Sequence, residues 1–134
     1  MYAPRAQYSP KTAPVAMAQP FDSAEEAWFW FIQAQQARID GAQATLGMGM
    51  MPRPCEPVDI MKIVDRLYRQ RCLLRDHLLV LRHYGRRLMP PDSRRVKEMK
   101  AFNLWREAME HLETALVRKG IVVTTDNFFM EAAE

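Results

Sequence analysis

The chain has 134 residues, about half of them apolar and a quarter charged, with a formal net charge of +3. That length and balance favour one soluble domain with a genuine hydrophobic core, and exclude collagen-like, low-complexity and disulfide-framework chains. The longest apolar run, residues 27–32, is far too short to cross a bilayer.

Residues 1–20 hold Pro4, Pro10, Pro14 and Pro20 among alanines and glutamines, a composition that forbids a continuous helix and leaves little to bury. They are expected to form a disordered N-terminal tail with polyproline character. This stretch has neither the apolar core nor the cleavage pattern of a secretory signal. With two cysteines, Cys55 and Cys72, in no paired motif, the chain reads as a cytoplasmic protein with reduced thiols.

The first helix is expected over residues 22–45. Asp22 and Ser23 are both good caps, and each has a glutamate three residues on. Trp28, Phe31, Ile32, Gln35, Ile39, Ala42 and Leu46 form its apolar stripe. Trp28, Phe29, Trp30 and Phe31 follow one another, too many aromatics for a core on one side. Either the first turns are buried on several sides, or Trp28, Phe29 and Trp30 serve a protein partner. Residues 47–57 are a connection rich in Gly, Met and Pro. Their Gly-Met-Gly lacks the strand and the Gly-Lys-Ser/Thr continuation of a nucleotide loop.

A second helical segment covers 57–87, opened by Pro57 and Asp59. Unbroken, it would be about 45 Å long, more than a domain of this size needs, so the segment reads either as one helix kinked near 70 or as two separated by a short break there. Ile60, Leu67, Leu74, Leu81 and Leu88 repeat every seven residues. Their companions Ile63, Gln70, His77 and Tyr84 are largely polar, so a bundle face is favoured over a coiled coil. Gly85 reads as the cap, and Pro90-Pro91 as the turn. The last helix is expected over 93–119, capped by Asp92 or Ser93 and closed by Gly120. Ile121 to Thr125 read as a short extended segment on the bundle, with 126–134 frayed. The sum is an all-α protein, a small bundle of three to four helices over 21–120, between an N-terminal tail and a C-terminal one of 121–134.

Catalytic chemistry finds little support. His77, His83 and His111 lack ligand spacing, and no Ser or Cys nucleophile motif occurs. No enzyme activity, metal or cofactor is expected. Charge distribution is more informative. Residues 66–100 carry eleven Lys or Arg against Asp76, Asp92 and Glu98, a local balance of +8, which leaves −5 elsewhere. Ten of the eleven fall off the apolar stripe, Arg71 being the exception. Arginine forks suit phosphate, and cations opening the last helix oppose its dipole unless an anion sits there. A leucine-rich helix, a turn and a basic second helix also resemble a helix-turn-helix in outline.

These features predict a non-enzymatic nucleic-acid-binding regulator of transcription, with DNA favoured over RNA. Its contacts would be Arg82, Arg86, Arg87, Arg94, Arg95, Lys97 and Lys100. The alternative is a helical adaptor or homodimer using Trp28, Phe29 and Trp30, or the seam from Ile60 to Leu88. The plainest competing account has the arginines paired with the bundle's own Glu107, Glu110 and Glu113.

Overall fold

A computed structural model describes residues 18–41 and 52–124. Among them four α-helices follow in order: α1 (Ala24–Asp40), α2 (Pro57–Arg69), α3 (Arg75–Arg87) and α4 (Met99–Arg118), the last preceded by a 3-10 turn, Val96–Glu98. The fold is a small all-α bundle. Residues 1–17 and 125–134, read as mostly unstructured tails, lie outside the described residues, as do Ala42 and Leu46.

Local side-chain bonds start the first two helices. At α1 the Ser23 hydroxyl accepts the Glu26 N–H at 3.1 Å, while the Glu26 carboxylate accepts the Asp22 N–H at 2.7 Å. This helix ends at Gly41, earlier than the expected Thr45, and Ile39 is 78% exposed instead of buried. Pro57 opens α2, where the Asp59 carboxylate accepts the Glu56 N–H at 2.8 Å.

Three of the helices stop in the same way. At α2, Cys72 N–H reaches back to Leu67 O and Arg71 N–H to Tyr68 O, with Arg71 left-handed at φ 65°. This is the Schellman pattern, which glycine usually serves. The 57–87 segment is therefore two helices. α3 restarts at Leu74, whose N–H is accepted by His77 Nδ1 at 2.9 Å. It ends likewise, with Met89 N–H to Tyr84 O, Leu88 N–H to Gly85 O, and Leu88 at φ 52°. α4 repeats the pattern with a true glycine, Gly120 at φ 77°.

Gly85 is thus not a cap. It lies inside α3, where an added Cβ would stand 2.7 Å from Trp28 Nε1 and 3.0 Å from Ile32 Cγ1. The absent side chain lets α1 cross close against α3, and Trp28 Nε1 donates to Leu81 O at 3.0 Å.

The other aromatics of α1 are also used internally. Phe29 stacks on Trp105 with centroids 5.7 Å apart, Trp30 meets Phe21 at 5.3 Å, and Trp28 meets Phe31 at 5.2 Å. Trp28 is buried, and Phe29 and Trp30 are half-buried against the core. Of the three residues named for a partner, Trp28 is thus taken up by the core, while Phe29 and Trp30 keep part of their surface in solvent. The seven-residue seam is consumed as well. Ile60, Leu67 and Leu81 are buried in the chain's own core, while Leu74 and Leu88 stand exposed at helix ends.

A short strap closes the bundle. Ile121 and Val122 are buried, and Val122 forms a parallel bridge with Phe21, through Phe21 N–H to Ile121 O at 2.9 Å and Val123 N–H to Phe21 O at 3.0 Å. The entry to α1 is thereby tied to the exit of α4. Arg53 fastens the same corner, its guanidinium 4.3 Å from the Phe21 ring centroid and donating to Gln19 O and Pro20 O.

Candidate nucleic-acid interface

The candidate interface is the bend from the end of α3 to the start of α4, built around the linker 88–98. Its backbone is organised by two carboxylates. Asp92 accepts the Arg94 N–H at 2.9 Å and Arg94 Nε at 3.2 Å, and Arg95 N–H returns to Asp92 O at 3.1 Å. These bonds to Arg94, backbone first, hold the Asp92 carboxyl below its ordinary pKa of 3.8.

Glu98 gathers the rest. One of its oxygens accepts the Asp92 N–H at 3.1 Å and the other lies 3.8 Å from the Arg95 guanidinium. Tyr84 lines the same cleft as this carboxylate, and burial first, then the charge of Glu98, pushes its phenol pKa up. Tyr84 joins the bend to the interior, since its ring meets Trp105 edge-on at 6.3 Å. The chain of contacts Phe29, Trp105, Tyr84, Glu98 therefore anchors an exposed turn to the core of the bundle.

All seven predicted cations, Arg82, Arg86, Arg87, Arg94, Arg95, Lys97 and Lys100, are exposed. The structure brings Arg87 of α3 and Arg95 of the linker to one cleft of about 180 Å³, with Tyr84, Met89, Pro90, Asp92 and Glu98. Arg87 lies over the Tyr84 ring, 5.8 Å from its centroid. Arg82 and Arg86 sit one turn apart on α3, about 6 Å along its axis.

The bundle's acids do not neutralise this surface. Glu107 is bonded to His77 at 2.8 Å, and Glu110 lies 3.8 Å from Arg106. Among the described residues the seven cations form ion pairs only with Asp92 and Glu98, inside the bend itself. Arg82, Arg86, Lys97 and Lys100 have none.

Two details of the expectation change. The last helix starts at Met99, so Arg94 and Arg95 precede it, Lys97 lies in the 3-10 turn, and only Lys100 opposes the dipole of its first turn. The linker is also much longer than a helix-turn-helix turn, so that outline does not hold. Apolar side chains share the bend: Val96 is 88% exposed and Met89 57%, with Leu88 and Met99 exposed beside them. Tyr84 and Glu98, which fix the geometry, had no signature in the sequence, since their contact spans a linker.

Two buried groups elsewhere, His77 and Cys55, are occupied or inert. His77 is buried with both ring nitrogens in use, one accepting from Leu74 N–H and the other facing Glu107. Accepting at Nδ1 places the proton of the neutral ring on Nε2. Burial, reinforced by Asp59, pushes the Cys55 thiol up to about 12. Among the described residues no three His, Cys, Asp or Glu side chains are placed to hold a metal ion, and no helix is long and apolar enough to cross a membrane. Comparison with family models, curated proteins and solved structures finds no match to this chain.

Proposed function

We propose that the 82–100 bend binds nucleic acid, DNA in preference to RNA, and that the protein acts as a non-enzymatic regulator. The observation that carries this reading is the unneutralised cationic surface: seven exposed Lys and Arg side chains share two carboxylates, both engaged in holding the turn. Phosphates would supply most of the affinity, with arginine forks reading their oxygens two at a time. The exposed Val96, Met89, Leu88 and Met99 suit apolar contact with bases or sugars beside those phosphates.

A mobility-shift assay in low salt with duplex DNA, single-stranded DNA and RNA tests the reading. Retention of duplex DNA that is lost on neutralising Arg86 and Arg95 supports it; no retention of any of the three overturns it. Retention of RNA alone replaces the DNA assignment and keeps the interface. The competing reading, an adaptor or homodimer, keeps one observation in its favour, the same four exposed apolar residues.

A further inference from the structure

A second cationic concavity lies at the other end of α4, about 30 Å of helix away from the bend. It is a cleft of about 230 Å³ between α2 and the chain leaving α4, lined by Pro54, Cys55, Asp59, Lys62, Ile63, Arg66, Lys119 and Ile121. Lys62 and Arg66 stand one turn apart on α2, and Lys119 faces them from the end of α4. None of the three has an ion-pair partner among the described residues. The one carboxylate in the lining, Asp59, is already accepting the Glu56 N–H.

We propose that this cleft is a binding site for a small organic phosphate. Three cations against one acid leave a local charge of +2, which matches a phosphate monoester near neutral pH. Arg66 supplies a planar fork for two phosphate oxygens, and the two lysines supply point charges. The C-terminal dipole of α4 opposes an anion here, but at about half a charge it is outweighed by three full ones. Cys55, Ile63 and Ile121, all buried, form an apolar floor for a body of a few carbons. The raised thiol pKa keeps Cys55 neutral there, so it adds no negative charge.

The test follows backbone amide resonances of the full chain while inorganic phosphate and, separately, glycerol 3-phosphate are added. The expected result is saturable shifts at Cys55, Lys62, Ile63, Arg66 and Ile121 below about 10 mM, with glycerol 3-phosphate the tighter ligand. Lys62→Gln and Arg66→Gln, both at exposed positions, should each weaken binding about tenfold with the fold unchanged, while Arg86→Gln in the bend should leave it as it was. Absence of saturation with both ligands overturns the proposal. So do shifts centred on the bend, or binding that survives Arg66→Gln and Lys62→Gln together. Because the bend is read out separately, failure here leaves the nucleic-acid reading standing, and the reverse.

Discussion

The first turns of α1 and the bend between α3 and α4 each concentrate one kind of side chain, and the protein treats them oppositely. The aromatics Trp28, Phe29, Trp30 and Phe31 are taken up from several directions by α3, α4 and the strap at Phe21. The seven cations of the bend are left in solvent, with only two carboxylates among them. Apolar surface recruits cover from any direction, because burial is non-directional and proportional to area. Charge is consumed only by a partner of opposite sign at close range, and the bundle's own acids look elsewhere. An excess of aromatics is thus a statement about the core, and an excess of unpaired charge a statement about the outside.

This contrast is sharpest in stability. Trp28→Ala should cost about 3–5 kcal/mol, combining the cavity with the lost bond to Leu81 O. Arg86→Gln should stay within about 0.5 kcal/mol of zero. Paired urea denaturation curves check both, and similar costs for the two would break the comparison. Gly85→Ala carries the next largest effect. The methyl group enters the space of Trp28 Nε1 and Ile32, so a loss of about 1–3 kcal/mol is expected by the same measurement. A neutral outcome would mean that α1 does not press on α3.

The helix stops sharpen the picture at smaller scale. Arg71 and Leu88 occupy left-handed positions that disfavour a side chain. Arg71→Gly and Leu88→Gly should each stabilise the protein by about 0.5–1 kcal/mol, read as a rise in Tm. The smallest effect is at Asp92. Its folded-state pKa is depressed, so its contribution is complete above the unfolded value of 3.8 and is lost as pH falls through the lower folded value. Carboxyl carbon shifts of Asp92 should titrate below that of a free aspartate, and replacing Arg94 by Ala should raise the midpoint.

The all-α class, a bundle of three to four helices and the exposure of the seven cations could all be read from periodicity, capping residues and charge. The break near 70 could be read only from length, since no Gly or Pro marks it. Arg71 does so instead, by taking the left-handed turn. Its place on the apolar stripe in the sequence has the same cause: it is outside both helices, where helical spacing no longer applies. Gly85 misled because a glycine near a helix end reads as a cap, and its close neighbour Trp28 lies 57 residues away in the chain. His77 and Tyr84, polar companions of the leucine row in the sequence, are both buried, His77 facing Glu107 of α4 and Tyr84 lying beside Glu98 of the 3-10 turn before it. Long-range pairings of this kind leave no local trace.

The claim that the bend faces a polyanion is tested most directly by the salt dependence of binding to a fluorescent DNA duplex. Log affinity should fall linearly with log salt, with a slope reduced by about one unit for each of Arg86→Gln and Arg95→Gln. The slope should not change for Arg106→Gln, whose charge lies outside the bend on α4 beside Glu110. Binding with a slope indifferent to Arg86 and Arg95, or no binding at low salt, would contradict it.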